Sequence, residues 1–156
     1  MSFALSARNI SIVIVISEFN KPIIENLLQG SLDAFIHHGG IQSDVHIYRV
    51  PGAFEIPGTI VQIMKNKSPD AIVALGAVIR GETPHFDYIA GESTRGIAEI
   101  SRSFDIPVIN GILTTDTSQQ AVDRSQIGGR NKGWDAMESA LQTISVYQSM
   151  LTASQC

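Results

Sequence analysis

Four short apolar runs alternate along the chain with segments that have helical periodicity. The first and third runs are nearly all apolar, which is typical of strands that are covered on both faces. A repeated order of strand and helix predicts a parallel sheet with right-handed crossovers. We therefore expect one domain over residues 1–156, an α/β fold that forms a three-layer α/β/α sandwich around a four-stranded parallel sheet. The runs cover residues 10–16, 45–50, 71–79 and 107–115.

Capping residues and prolines predict where the helices between these runs begin. Asn20 and Thr83 are expected to cap two long helices, with Pro22 in the first turn of one and Pro84 at the first position of the other. Residues 1–9 have no helical period, and an extended arm that adds a strand to a neighbouring subunit would cover an open sheet edge. The helices are expected over about 20–38, 53–65, 83–104, 118–124 and 134–151.

The composition limits the classes to which the chain can belong. Hydrophobic residues make up 44% and charged residues 17%, and the net charge of −4 argues against binding to nucleic acid. The single cysteine, Cys156, excludes an internal disulfide and a metal site with several cysteine ligands. The apolar runs are too short to span a membrane, and residues 1–11 lack the pattern of a secretory signal. We expect a cytoplasmic protein.

Polar and aromatic residues gather where the expected strands end. These segments are residues 17–20, 51–55, 80–85 and 114–116. The carboxyl ends of parallel strands lie at one edge of the sheet, which is where open α/β sheets bind ligands. The sequence therefore predicts a ligand site at this edge, built from four separate segments.

The segment after the third strand combines a histidine with groups that can bind an anion. Gly81, Glu82 and Thr83 precede Pro84 at a helix start, where free backbone N–H groups and the Thr83 hydroxyl can hold a phosphate. The positive end of the helix dipole disfavours imidazolium at His85, so this ring is expected to be neutral and able to accept a proton near pH 7. The alternatives are an ordinary capped helix and a packing or solvated histidine.

Other residues at the same edge allow more than one interpretation. Phe19 follows a buried strand, and it can either stack on a flat heterocycle or form a hydrophobic lid over the sheet end. Glu55 is favoured in the first turn of its helix by the dipole alone, so its position does not by itself indicate a ligand. Arg80 can pair with an anion, with Glu82 or with Asp87.

A second group of charges lies near the start of the last helix. Arg124, Arg130 and Lys132 surround two glycines, and they form either a solvated loop or a set of cations for an anion. The remaining histidines and the tryptophan lack such a setting and are expected to be structural: His37, His38, His46 and Trp134.

Several of these segments, taken together and in this order, resemble the lumazine synthase (6,7-dimethyl-8-ribityllumazine synthase) family, whose members catalyse the penultimate step of riboflavin biosynthesis. The resemblance runs from about Ile12 to Leu141. It implies a flavodoxin-like fold and a transferase that needs neither metal nor organic cofactor. The segments that carry it are Phe19-Asn20, Val50-Pro51-Gly52-Ala53-Phe54-Glu55-Ile56-Pro57, Leu75-Gly76-Ala77-Val78-Ile79-Arg80-Gly81-Glu82-Thr83, His85-Phe86-Asp87, Gly111-Ile112-Leu113-Thr114-Thr115 and Asn131-Lys132-Gly133.

The resemblance implies the condensation of 5-amino-6-(D-ribitylamino)uracil with 3,4-dihydroxy-2-butanone 4-phosphate to the lumazine, phosphate and water. It implies that His85 is the acid/base, that Glu82 and Thr83 cradle the phosphate, and that Arg124 reaches this phosphate from an adjacent subunit, with Lys132 nearby. The pyrimidine and its ribityl chain would be held by Phe19, which stacks on the ring, and by Ala53, Phe54, Glu55, Ala77, Val78 and Ile79.

The chain departs from the family pattern at two positions. Glu18 stands where many members have arginine, so a basic contribution is lost there. Asn110 stands where many have a phenylalanine that contributes to the pocket across the subunit interface, and an asparagine can bind a ligand only by hydrogen bonds. The resemblance also implies a homo-oligomer, a pentamer or a multiple of pentamers, with riboflavin synthase as a further partner.

Two other functions remain open at this stage. A flavin or lumazine carrier on the same scaffold would need little catalysis, and Glu18 and Asn110 leave room for it. His85 and Arg124 argue against a carrier, because a carrier needs neither proton transfer nor a phosphate site. A receiver-like signalling domain would need an acidic cluster after the first strand, where only Glu18 stands.

Overall fold

The computed structural model describes residues 5–153, in which a parallel four-stranded sheet lies between two layers of helices. The strands are β1 (Ile12–Ser17), β2 (Val45–Val50), β3 (Ala71–Ile79) and β4 (Val108–Thr115). The helices are α1 (Lys21–His37), α2 (Ile56–Asn66), α3 (His85–Ser103), α4 (Ser118–Asp123) and α5 (Lys132–Ala153).

The strands follow the order β2-β1-β3-β4, and every neighbouring pair is parallel. Ser17 at the end of β1 is level with Val50 at the end of β2, and Ile79 at the end of β3 is level with Thr115 at the end of β4. The expected α/β fold with its four-stranded parallel sheet is therefore confirmed, and the segments after the strands emerge at one edge.

Each face of the sheet carries its own hydrophobic core. Ile12, Ile14 and Ile16 of β1 pack with α1 and α5, whereas Val13 and Val15 pack with α2 and α3. Successive side chains of a strand point to opposite faces. Burial on both faces is the reason that this strand has a continuous apolar sequence.

A close approach between α1 and α5 fixes where α5 begins. A Cβ atom at Gly133 would overlap the carbonyl of Leu27, and one at Gly30 would overlap the side chain of Asn131. The buried hydroxyl of Ser31 donates a hydrogen bond to the Gly133 carbonyl at 2.6 Å. Only glycine allows the two backbones to come this close, so the start of α5 is anchored on α1.

The start of α3 differs from expectation, whereas α1 has Asn20 at its N-cap and Pro22 in its first turn as predicted. Pro84 is the N-cap of α3 rather than its first residue, because its carbonyl accepts the N–H of Asp87 and leaves Thr83 one residue outside the helix. Asn20 precedes α1 in the left-handed conformation, at φ 63°, which asparagine tolerates. Its side chain caps nothing; the Nδ2 group instead donates to the Ala77 carbonyl at 3.1 Å.

Two further helix boundaries were also wrong by a few residues. Ala53–Glu55 form a single 3₁₀ turn, and α2 begins only at Ile56 with a proline in its first turn. The last helix begins at Lys132 instead of residue 134, because the side chain of Asn131 accepts the N–H of Trp134 at 3.0 Å and so caps it.

The N-terminal segment lies against its own subunit over the residues that the structure describes. Ala7 is buried and donates its N–H to the His38 carbonyl at 2.9 Å, and Leu5 packs on the core. The first four residues of the predicted arm lie outside the described residues, as does Cys156. Within residues 5–153, the helices are too short or too polar to cross a membrane.

Candidate active site

A cavity of about 600 Å³ opens at the carboxyl ends of the first three strands, and we call it the strand-end cleft. Its walls come from the turn after β1, the 3₁₀ turn after β2, the end of β3 and the first turn of α3. The predicted site residues that line it are Phe19, Ala53, Phe54, Glu55, Ala77, Val78, Ile79, Thr83 and His85.

Phe19 and Phe54 line this cleft and are largely exposed. The side chains of Phe19 and Phe54 are 71% and 58% exposed, so Phe19 does not seal the sheet end within its own chain. The hydrogen bond from Asn20 to the Ala77 carbonyl ties the turn after β1 to β3 and so holds Phe19 beside the floor of the cleft. A flat heterocycle can stack on an exposed ring held in this way.

His85 is the first residue of α3, and it is exposed at the mouth of the cleft. Just before it, the backbone N–H groups of Gly81, Glu82 and Thr83 find no hydrogen-bond acceptor within the described chain. Together with the positive end of α3, these N–H groups provide an anion site beside an imidazole. Thr83 caps no helix, so its hydroxyl is available to the same anion.

Arg80 connects the sheet to the first turn of α3. Its Nε donates to Asp116 at 2.9 Å, its Nη1 lies 3.3 Å from Asp87, and its guanidinium carbon lies 4.5 Å from the centre of the Phe86 ring. The hydrogen bond to Asp116 and the charge of Asp87 raise the pKa of Arg80. Of the partners considered from the sequence, Asp87 is therefore present and Glu82 is not.

A second cavity, of about 320 Å³, lies beside the end of β4, and we call it the basic pocket. It is lined by residues 112–115 of β4 and by the segment that joins α4 to α5. Three of its side chains are cationic and one is anionic: Arg124, Arg130, Lys132 and Asp135. The three cations line one concave surface that can hold an anion, and Arg130 and Lys132 are also exposed to solvent, so this segment fits both interpretations.

The buried side chain of Asn131 holds the basic pocket in shape. Its Nδ2 group donates to the carbonyls of Asn26 at 3.0 Å and Ser125 at 3.2 Å, and its Oδ1 accepts from Trp134. The N–H of Lys132 donates to the Arg124 carbonyl at 2.9 Å, which closes the loop. The backbones of Arg124 and Lys132 are therefore fixed relative to α1.

The predicted site residues thus divide into two groups within one chain. Among residues 5–153, no residue lines both cavities. The strand-end cleft holds the imidazole and the N–H groups, whereas Arg124 and Lys132 lie in the basic pocket. Glu82 and Asn110 are exposed and line neither cavity.

The two departures from the family pattern engage groups of their own chain. The Oδ1 atom of Asn110 accepts the N–H of Ile112 at 3.0 Å on the free edge of β4. Glu18 is exposed near Arg49, whose pKa is raised by its hydrogen bond to Glu25 and by the charges of Glu25 and Glu18. Neither residue reaches the strand-end cleft of its own chain.

His37, His38 and Trp134 make contacts within the chain that fit the structural roles expected for them. His38 contacts Glu138 of α5 at 2.7 Å, His37 lies against Trp134, and Trp134 packs on the core. His46 is exposed on β2 and lines neither of the two cavities. Within residues 5–153 there is no cluster of three or more His, Cys, Asp or Glu side chains that could hold a metal ion.

Sequence reasoning missed several residues of the site. Asp116 is 36 positions from Arg80, and no local pattern connects them. Asn131 could have been identified, because an asparagine three residues before Trp134 has the spacing of an N-cap. Phe86 and Ile89 line the cleft because they lie on the face of α3 that turns towards the sheet end.

Comparison with known proteins gives matches that cover most of the chain. The family model described as 6,7-dimethyl-8-ribityllumazine synthase matches residues 9–148. The chain is also 43% identical over 145 residues to the 6,7-dimethyl-8-ribityllumazine synthase of Chlorobium limicola (strain DSM 245 / NBRC 103803 / 6330). That alignment covers 93% of this chain and 94% of the relative.

Proposed function

Because the chain belongs to the 6,7-dimethyl-8-ribityllumazine synthase family, we propose that the strand-end cleft and the basic pocket are the two halves of its active site. The protein is a transferase of riboflavin biosynthesis. It condenses 5-amino-6-(D-ribitylamino)uracil with 3,4-dihydroxy-2-butanone 4-phosphate and releases the lumazine, phosphate and water. Both substrates are small molecules, and one carries a phosphate.

The strand-end cleft is the proposed site of the pyrimidine. Phe19 would stack on its ring, and residues 53–55 and 77–79 would hold the ring edge and the ribityl chain. The exposure of Phe19 and the apolar floor of the cleft support this assignment. An aromatic face gives affinity for a flat heterocycle, while backbone groups at strand ends give hydrogen bonds to its edge.

The phosphate is proposed to lie at the N-terminus of α3. The free N–H groups of residues 81–83 and the Thr83 hydroxyl would hold it, with the Glu82 carboxylate turned away. Arg124 would reach the same phosphate from the adjacent subunit, with Lys132 beside it. The observation that carries this proposal is the division of the site residues between two separate cavities of one chain.

His85 is proposed to be the acid/base of the reaction. Schiff-base formation, loss of phosphate and ring closure all move protons, and His85 lies between the proposed pyrimidine and phosphate positions. Positioned acid/base groups contribute about 10²–10⁴-fold to a rate. Orienting two substrates against each other can supply about 7–11 kcal/mol of the barrier, so most of the acceleration is expected to come from binding.

Oligomers are usual in this family, and we propose that this chain assembles as a pentamer or a multiple of pentamers. A site made from two unlike surfaces requires head-to-tail contacts, and these form a ring when the rotation between neighbours closes. Riboflavin synthase is the proposed partner that consumes the product. We also propose a cytoplasmic location, because a phosphorylated substrate is retained on one side of a membrane.

Replacement of the imidazole tests the proposed role of His85. We expect His85→Ala to lower kcat by about 10²–10⁴-fold and to leave a rate above the spontaneous condensation, because positioning of the substrates survives. The assay follows lumazine absorbance with both purified substrates. His46→Ala is the matched control, since His46 is exposed and lines neither cavity.

Two results would contradict this assignment. Unchanged kcat in His85→Ala would exclude the imidazole from the proton transfers. Loss of all turnover in a folded and assembled variant would mean that substrate positioning alone does not accelerate the reaction.

A further inference from the structure

We propose that Arg80 is a positioning residue that holds the first turn of α3, and with it the imidazole of His85, against the edge of the sheet. The proposal rests on the proton-transfer role proposed for His85. Arg80 lines neither the strand-end cleft nor the basic pocket, so its contribution is made through the residues that it touches.

The first turn of α3 is largely exposed and has no side-chain cap. Its N-cap is Pro84, which offers no side-chain acceptor, and no side chain caps the helix. His85 and Asp87 are exposed, and Phe86 is only half-buried. An uncapped and exposed helix start frays readily unless another group anchors it.

Arg80 contacts both the edge of the sheet and the first turn of α3. On the sheet side, its N–H donates to the Thr115 carbonyl and its Nε donates to Asp116, both at 2.9 Å. On the helix side, Nη1 contacts Asp87 at 3.3 Å and the guanidinium lies 4.5 Å from the centre of the Phe86 ring. One rigid planar group therefore contacts the end of β4 and both residues that follow His85.

The alternative role for Arg80 is direct binding of the phosphate. Its guanidinium already contacts two carboxylates, Asp116 and Asp87, and a phosphate would have to compete with both. Direct binding and positioning differ in their kinetic effect. Loss of a phosphate contact raises KM for the butanone phosphate, whereas misplacement of the acid/base lowers kcat.

A double-mutant cycle between Arg80 and His85 tests the proposal. We expect Arg80→Ala to lower kcat by about 10-fold, because small misplacements of a reacting group are costly. In a His85→Ala background the same change should alter kcat by less than about 2-fold, because no imidazole remains to be positioned. Arg80→Lys keeps the charge but not the planar fork, and it should lie between Arg80→Ala and the unmodified protein.

Arg49→Ala is the matched control. Arg49 also pairs with a carboxylate, Glu25, at the same edge of the sheet, but it lies on β2 and its recorded partner is on α1. We expect this control to leave kcat within about 2-fold of the unmodified protein. Circular dichroism and sedimentation check that each variant folds and assembles. If Arg80→Ala does not fold or assemble, Arg80→Lys takes its place in the double-mutant cycle.

Three results would overturn the proposal, and they are distinguishable. Equal losses of kcat in both backgrounds would mean that Arg80 acts independently of His85. A rise in KM for the butanone phosphate with unchanged kcat would assign Arg80 to direct anion binding. An unchanged kcat in His85→Ala alone would remove the proposed role of His85, and the role of Arg80 with it.

Discussion

The strand-end cleft and the basic pocket lie at the same edge of the sheet, but their lining residues differ in polarity and charge. The larger cleft has an apolar floor and exposed aromatic rings, and among residues 5–153 it is lined by His85 but by no lysine or arginine. In the same part of the chain, the smaller pocket is lined by three cations and no histidine. The cleft therefore has the imidazole that the pocket lacks, and the pocket has the cationic side chains that the cleft lacks.

This difference teaches how one small sheet can serve a reaction with two unlike substrates. Proton transfer near a flat ring benefits from an apolar surrounding, whereas a phosphate needs fixed positive charge. The fold separates the two requirements within a chain, and head-to-tail assembly would bring them together between chains.

The largest expected effect tests whether the two cavities act together across an interface. His85→Ala and Arg124→Ala should each lose at least about 10²-fold in kcat/KM. When the two variants are coexpressed with different affinity tags and mixed oligomers are isolated, about one quarter of the interfaces should regain both groups under random assembly. We expect activity to recover in that proportion.

The control for this recovery is a mixture of two differently tagged His85→Ala chains, which cannot form a complete site. If the mixed oligomers stay as inactive as the single variants, His85 and Arg124 do not meet at an interface. The two cavities would then have separate functions, and the comparison drawn above would fail.

A smaller effect is expected from removal of the aromatic face of the cleft. Phe19→Ala should raise KM for the pyrimidine by about 5- to 150-fold, which corresponds to about 1–3 kcal/mol of lost stacking. KM for the butanone phosphate should change little. Phe104→Ala, which removes a partly exposed ring after the end of α3, is the control. Equal changes in both KM values would show that Phe19 does not discriminate between the substrates.

The smallest kinetic effect is expected from replacement of Asn131, which supports the basic pocket without carrying charge. Asn131→Ala removes three hydrogen bonds of a buried amide and should destabilise the fold by about 1–3 kcal/mol in a denaturant titration. KM for the butanone phosphate should rise several-fold because Arg124 and Lys132 lose their fixed positions. KM for the pyrimidine should stay unchanged.

Ser31→Ala is the matched control for Asn131→Ala. It removes another buried hydrogen bond between α1 and α5 without touching the loop that carries the cations. It should lower stability and leave both KM values unchanged. If Ser31→Ala raises KM for the butanone phosphate as much as Asn131→Ala does, general loosening of α5 is the cause, and Asn131 has no specific role.

Local patterns identified the elements of the fold well and their boundaries less well. Apolar runs marked the strands, and burial on both faces explains the continuous apolar sequences of β1 and β3. The edge strands β2 and β4 are partly exposed and contain polar residues. The start of α3 was off by one residue and that of α5 by two, because Thr83 and Asn131 both have suitable capping chemistry and only backbone geometry selects between such candidates.

The site was predictable to the extent that it depends on strand ends. His85, Thr83 and Phe19 all follow strands, so parallel topology alone brings them to one edge. Arg80 had three candidate partners in the sequence, and its partner Asp116 was not among them. The pairing of β3 with β4 brings these two residues together, and no local sequence pattern predicts such a long-range pairing.

The sequence by itself determined the parallel sheet and the family to which the chain belongs, and it predicted the edge at which ligands bind, because hydrophobic periodicity and motif order are properties of the linear chain. Only the tertiary structure decided that His85 and Arg124 lie in different cavities, that Asn110 bonds to its own strand, and that Arg80 bridges the sheet to α3. These facts depend on which side chains meet across strands and helices, and that is fixed by packing in three dimensions.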